Sequence, residues 1–226
     1  MRRVLRIGHR GAAGHGPENT LAAIQKGIAL GVDFVEIDLR RTADGVLVVL
    51  HDETVNRTTN GKGRVDHLSV QEVKKFNAGN GEHIPTLKEV LKVAAGEAGL
   101  MLELKVKGMA QQTVEVVREA GFRDPVIYAS FLHDELQHVR TVEPEASLMV
   151  LFGGLSRASV ARAIKYGSSY VGLRHDKTTR VLVDSFHRAG LLVFVYTTDA
   201  PSDIQRALSL DVDGVISNFP ERIASQ

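Results

Sequence analysis

Apolar, β-branched runs of four to six residues recur along the chain, at residues 4–9, 34–39, 47–51, 100–105, 126–131, 147–152, 170–173, 192–197 and 214–217. Runs this dense suit strands buried on both faces, the habit of parallel sheets. Between most of them the apolar positions change to helical spacing. Residues 19–30 place Leu21, Ile24 and Ile28 on one face, and residues 86–95 place Leu87, Val90, Leu91 and Ala94 on one face just after Pro85. The same spacing over 110–120, 134–142, 158–166, 180–189 and 203–210 predicts further amphipathic helices. Gly31, Gly121, Gly167 and Gly190 follow helical stretches, where a residue of positive φ commonly ends a helix.

Strand and helix thus alternate from one end to the other, which predicts the α/β class with parallel strands. Nine strand candidates are one more than a (β/α)8 barrel needs. Runs 34–39 and 47–51 have no helix between them, and Thr42-Ala43-Asp44-Gly45 looks like a turn. Segment 34–51 therefore gives either two barrel strands or one strand and a hairpin. Residues 54–85 are polar, contain glycines and are weakly periodic, as in a modest loop insertion with one short helix near 70–76. No linker or low-complexity tract interrupts the pattern, and 226 residues fit one barrel domain over 1–226.

Composition narrows the chemistry. With 43% apolar and 24% charged residues, the chain resembles an ordinary soluble protein. A net charge of +1 supplies no global field for nucleic acid or an anionic membrane, so the expected partner is a small molecule. The absence of cysteine excludes disulfides, thiolate metal sites and cysteine catalysis. Any metal must be held by oxygen or imidazole. The opening residues are too short and interrupted an apolar run for a signal peptide, and no run approaches the roughly 18 apolar residues of a membrane span. The expectation is a cytoplasmic protein with no stable membrane insertion.

In a (β/α)8 barrel the active site lies at the C-terminal ends of the strands. His9 and Arg10 close the first run, Glu36 and Asp38 lie in the second, and His51 and Asp52 close the third. Glu103 and Lys105 close the run at 100–105, and Ser130 and Phe131 the next. Alternation puts Glu36 and Asp38 on one face of their strand. Two carboxylates so placed repel unless a divalent cation lies between them, and hard oxygen ligands suit Mg²⁺, Ca²⁺ or Mn²⁺. Glu103 offers a third ligand, and Lys105 a cation to hold an anion nearby. A salt-bridged edge strand fits the same spacing, but Phe34, Val35, Ile37 and Leu39 favour a buried strand. His9 and His51 form a pair in which one imidazole accepts a proton and the other donates one. Arg10 presents a bidentate fork to a phosphate.

Together these segments spell a family pattern. His9-Arg10-Gly11, Pro17-Glu18-Asn19-Thr20, Glu36-Ile37-Asp38, Asp44-Gly45, His51-Asp52 and Arg57-Thr58-Thr59 followed by Gly61 resemble the glycerophosphodiester phosphodiesterase family, of the PI-PLC-like phosphodiesterase type. Ile84-Pro85-Thr86-Leu87, Glu103-Leu104-Lys105, Ser130-Phe131 and the run from Asp213 to Pro220 continue the match over essentially the whole chain. The resemblance implies a (β/α)8 TIM barrel and one divalent cation on Glu36, Asp38 and Glu103. It also implies catalysis by His9 and His51, with phosphate contacts from Arg10 and Lys105. The expected reaction is hydrolysis of glycerophosphodiesters to glycerol 3-phosphate and an alcohol. Where the family commonly has a tryptophan late in the chain, this sequence has Tyr196, a flat surface for a glycerol backbone, and Phe131 is expected to pack against the same moiety. Glu18 or Asn19 is expected to cap the first helix. The short insertion suggests a small, open site with a loose choice of alcohol.

Two alternatives stand beside this reading: a lysophospholipase D-like diesterase acting on lysolipids, and a phosphate-binding barrel without catalysis. The first would favour an apolar lip, which 54–85 does not clearly show. The second has no need of a paired acid and base. The preferred alcohol, the ion, the roles of the two histidines and the oligomeric state remain open at this level.

Overall fold

The computed structural model describes residues 3–156 and 158–223. Met1, Arg2 and residues 224–226, the outer ends of the expected domain, lie outside the described residues, as does Arg157.

Among the described residues nine strands form one sheet: β1 (Leu5–Gly8), β2 (Phe34–Arg41), β3 (Leu47–Val49), β4 (Gly99–Leu104), β5 (Val126–Ser130), β6 (Ser147–Phe152), β7 (Tyr170–Arg174), β8 (Leu192–Tyr196) and β9 (Gly214–Ser217). All except β3 run parallel. They close on themselves because β1 pairs with both β9 and β2, while β2 pairs directly with β4. The result is a closed eight-stranded parallel barrel of the TIM type.

β3 decides the open point of the sequence. It pairs antiparallel with β2, Leu39 opposite Val49 and Arg41 opposite Leu47, so segment 34–51 is one barrel strand plus a hairpin. The turn is closed by the Thr42 side chain, which accepts from Val46 N at 3.0 Å, and by Gly45 at φ +83°.

The helices are α1 (Leu21–Ala29), α2 (Val70–Val73), α3 (Leu87–Ala94), α4 (Ala110–Glu119), α5 (His133–Val142), α6 (Ser159–Lys165), α7 (Arg180–Arg188) and α8 (Pro201–Ser209). α3 starts in a complete capping box: the Thr86 side chain accepts from Glu89 N, and the Glu89 carboxylate accepts from Thr86 N. α1 begins two residues later than its periodicity suggests. Thr20 is its cap, accepting from Ala23 N, so the expectation that Glu18 or Asn19 caps this helix is corrected. Asn19 instead has φ +60° and is buried, its amide turned inward.

Burial divides the apolar residues by strand face. One face of each strand packs under the helices, as with Val35, Ile37, Leu100, Leu102, Val193 and Val195. The other fills the barrel with Ile7, Met101, Ile127, Met149, Phe194 and Ile216. Residues 54–85 pack on their own small cluster of Val48, Leu50, Val55, Val65, Val73 and Ile84, which fastens the insertion to the hairpin.

Candidate active site

On β1, β2, β4 and β8 the inward row changes from apolar to polar towards the C-terminal end, whereas β5 and β6 stay apolar with Ala129 and Leu151. Ile7 is followed two residues on by His9, Phe34 by Glu36 and Asp38, Met101 by Glu103 and Lys105, and Phe194 by Tyr196. The apolar plug below and the polar ring above follow from side-chain alternation with period two. The ring surrounds a cavity of about 210 Å³. All the residues expected from the sequence line it except Asp38, which is buried beside Arg10 and Lys105.

β2 and β4 place Asp38 opposite Glu103 in register. Glu36, Asp38 and Glu103 can each direct one oxygen so that the three lie within 4.8 Å of one another. Burial first, then repulsion from Asp38, pushes the Glu36 carboxyl up to about 8. The same causes raise Glu103 to about 7 against the pull of Lys105. Burial also works upward on Asp38, but the charges of Lys105 and Arg10 outweigh it and hold its carboxyl below the usual range. Lys105 Nζ lies 2.7 Å from Glu103 and 3.3 Å from Asp38. Three crowded, largely buried carboxylates, two of them reluctant to ionise, are a donor set that a hard divalent cation fits.

Arg10 sits on the turn after β1 at φ +51°, which aims its backbone N–H at Glu36 Oε2, 2.8 Å away. Its guanidinium donates to Glu18 at 2.7 Å, and its Nε lies 3.3 Å from Asp38. Asn19 donates from Nδ2 to Asp38 at 2.9 Å. Glu18 and Asn19 thus orient Arg10 and Asp38.

The two histidines have different partners. His9 Nδ1 lies 2.7 Å from Asn218 Oδ1, and the Asn218 amide donates to Asp199 at 2.7 Å. The Asn218 oxygen can only accept, so Nδ1 carries the proton and Nε2 is left free toward Glu36, 4.0 Å away. Burial, then the Arg10 charge, lowers the His9 pKa. His51 reaches the mouth by the β2–β3 hairpin and not from a barrel strand, with Leu50 N donating to Asp38 O at 2.9 Å. Its Nδ1 lies 2.7 Å from the Asp52 carboxylate. Burial lowers the His51 pKa, and Asp38 and Asp52 oppose it. Arg57 clamps Asp52 through Nε at 2.7 Å and reaches Glu18 with two more bonds, joining the His51 and Arg10 sides of the mouth. Its hydrogen bond, with that of His51, holds Asp52 well below the ordinary carboxylate range.

Phe131 and Tyr196 meet edge to face at 6.0 Å on the opposite wall. The Tyr196 hydroxyl donates to Phe152 O at 2.8 Å, which fixes the ring.

Asn218, Asp199, Arg57 and Arg40 were not singled out for roles in the site. Arg57 and Asn218 lie within the family segments quoted above, and Arg40 follows Glu36 and Asp38 at the same period-two spacing. Its Nε donates to His51 O at 2.9 Å.

The model of the glycerophosphoryl diester phosphodiesterase family matches residues 9–222. The chain is 33% identical to the protein YhdW of Bacillus subtilis, over 96% of this chain and 95% of that one. It is 32% identical to a glycerophosphodiester phosphodiesterase of Caldanaerobacter subterraneus, over 98% and 96%. Among solved structures, a phosphodiesterase of Oleispira antarctica in complex with the product sn-glycerol-3-phosphate superposes with a TM-score of 0.92 at 29% identity, covering 96% of this chain and 94% of that one. With a family match that begins at His9 and ends just past Asn218, on a barrel that brings those two residues together, the chain belongs to the glycerophosphoryl diester phosphodiesterase family, hydrolases of phosphoric diesters.

Proposed function

We propose that the protein hydrolyses glycerophosphodiesters to glycerol 3-phosphate and an alcohol, with a divalent cation on Glu36, Asp38 and Glu103. His9 serves as the base and His51 as the acid. The observation that carries the reading is the single cavity lined by both histidines, Glu36, Glu103, Arg10 and Lys105, with Asp38 buried beside the two cations. The product named in the Oleispira complex supports the glycerol 3-phosphate half.

When bound, the cation would neutralise charge growing on the phosphoryl oxygens as the transition state forms. Arg10 and Lys105 supply fixed positive charge to the same oxygens. His9 faces a neutral amide and is buried, so its resting form is the uncharged imidazole. Its Nε2 takes the proton of the attacking hydroxyl, either water or the substrate's own glycerol 2-hydroxyl, as the new O–P bond forms. Asp38 and Asp52 favour the imidazolium of His51 against the burial that lowers its pKa. His51 gives a proton to the departing alkoxide as the second O–P bond breaks. With the 2-hydroxyl as nucleophile, a cyclic phosphate forms and water opens it in a second step. Phe131 and Tyr196 offer an apolar wall to the glycerol carbons.

The test is release of glycerol 3-phosphate from sn-glycero-3-phosphocholine, after EDTA and after return of Mg²⁺, Ca²⁺ or Mn²⁺ separately. Activity should return with at least one ion. It should fall by roughly 10²- to 10⁴-fold in His9→Ala and His51→Ala. Turnover that is indifferent to EDTA, or retained in either variant, would overturn the reading.

A further inference from the structure

Beside the active-site cavity runs a second groove of about 540 Å³, and Lys105 lines both. It crosses the rim of the barrel between the β2–β3 hairpin, the insertion and the loop after β4. Its charge is lopsided. Arg40, Arg41, Arg64, Lys105 and Lys107 line it against Glu53 and Asp66 alone. Both of those acids are taken up by Arg64, at 2.7 and 2.9 Å, and Lys105 is taken up by Glu103.

Arg40, Arg41 and Lys107 are left over. Among the described residues none of them has a carboxylate within ion-pair distance. Arg40 spends only its Nε, on His51 O, and Arg41 only one nitrogen, on Gly108 O at 3.3 Å. The bond to His51 matters because it fixes a half-buried guanidinium with both amino groups unspent. In register, Arg40 stands one step beyond Asp38 on the inward row of β2, as Lys105 stands one step beyond Glu103 on β4. Arg40 and Lys105 thus stand directly outside the carboxylate layer, and Arg41, on the other row of β2, and Lys107, on the loop after β4, extend the positive lining along the groove beside them.

We infer that this groove is the subsite for the departing alcohol and that it favours an alcohol carrying a second phosphate. The inference rests on the proposed hydrolysis and names its substrate class. Three unpaired cations match a phosphate dianion held by guanidinium forks and a lysine. A trimethylammonium group would meet like charge there.

The probes are sn-glycero-3-phosphoinositol and its 4-phosphate, which share one alcohol scaffold. The wild type should show kcat/KM higher for the 4-phosphate by roughly tenfold or more, the size expected of one or two charge-assisted contacts. Arg41→Ala and Lys107→Glu should each move that ratio towards one. Equal wild-type values, or a ratio unmoved in both variants, would overturn the subsite. Calorimetric titration of EDTA-treated protein with the same two compounds separates this from the hydrolytic reading. Tighter binding of the 4-phosphate, weakened in Lys107→Glu, upholds the subsite even where neither compound is cleaved. No binding preference overturns it even where both are.

Discussion

In the proposed mechanism a neighbouring atom separates the roles of His51 and His9. Both rings are fixed through Nδ1, but one faces a carboxylate and the other an amide oxygen. Replacing Asp52 with Asn removes the charge that favours the imidazolium and nearly preserves the shape. The expected result is a fall in kcat on the order of 10²-fold with unchanged circular dichroism, because only proton donation is impaired. A kcat like the wild type's would show that Asp52 merely anchors Arg57. Much of this ring of residues was legible in the sequence, for a simple reason. Strand alternation is local, so Glu36 with Asp38, and Glu103 with Lys105, announce a shared face within three residues. Asn218 is different, since it meets His9 across 209 positions and only barrel closure makes the contact. The role of Arg57 was hidden likewise, because its four bonds to Glu18 and Asp52 depend on how an irregular loop folds back.

The turn after β1 carries the densest set of constraints. A Cβ on Gly8 would lie 2.2 Å from Gly11 O, a backbone atom that cannot rotate away. Gly8→Ala should therefore displace the loop bearing His9 and Arg10. The expected outcome is a loss of kcat/KM on the order of 10²-fold with a lowered Tm, read from kinetics and a thermal melt, since misplacement near 1 Å costs about that much. Retention of full activity would mean that the turn adapts without moving His9. The strands were legible because buried parallel strands are continuous apolar runs. The hairpin could not be settled in advance, because β3 and a barrel strand look alike over three residues. The expected start of α1 at residue 19 is too early, because its apolar spacing begins only at Leu21 and the left-handed Asn19 and the cap Thr20 precede the first turn.

Across the whole molecule, the carboxylate cluster ties stability to pH. Glu36 and Glu103 have folded values of about 8 and about 7, above the ordinary 4.5, so the fold favours their protonated forms. Their contribution is complete below the ordinary value and is lost as pH rises through about 7 to 8. The metal-free protein should show a Tm that falls between pH 6 and pH 9 from this source. Added divalent cation must displace protons at low pH, so its stabilising effect should be larger at pH 8.5 than at pH 6. Thermal melts with EDTA and with excess cation at both values check this, and a gain that ignores pH would contradict it. The pairing of β1 with both β2 and β9 has a consequence for biosynthesis. Emerging from the ribosome, a nascent polypeptide would carry Glu36, Asp38, His51 and Glu103 well before Asp199 and Asn218 exist to orient His9. Such a chain has the carboxylates of the site but not the amide that orients His9, and it gains that orientation only when its last strand docks against its first.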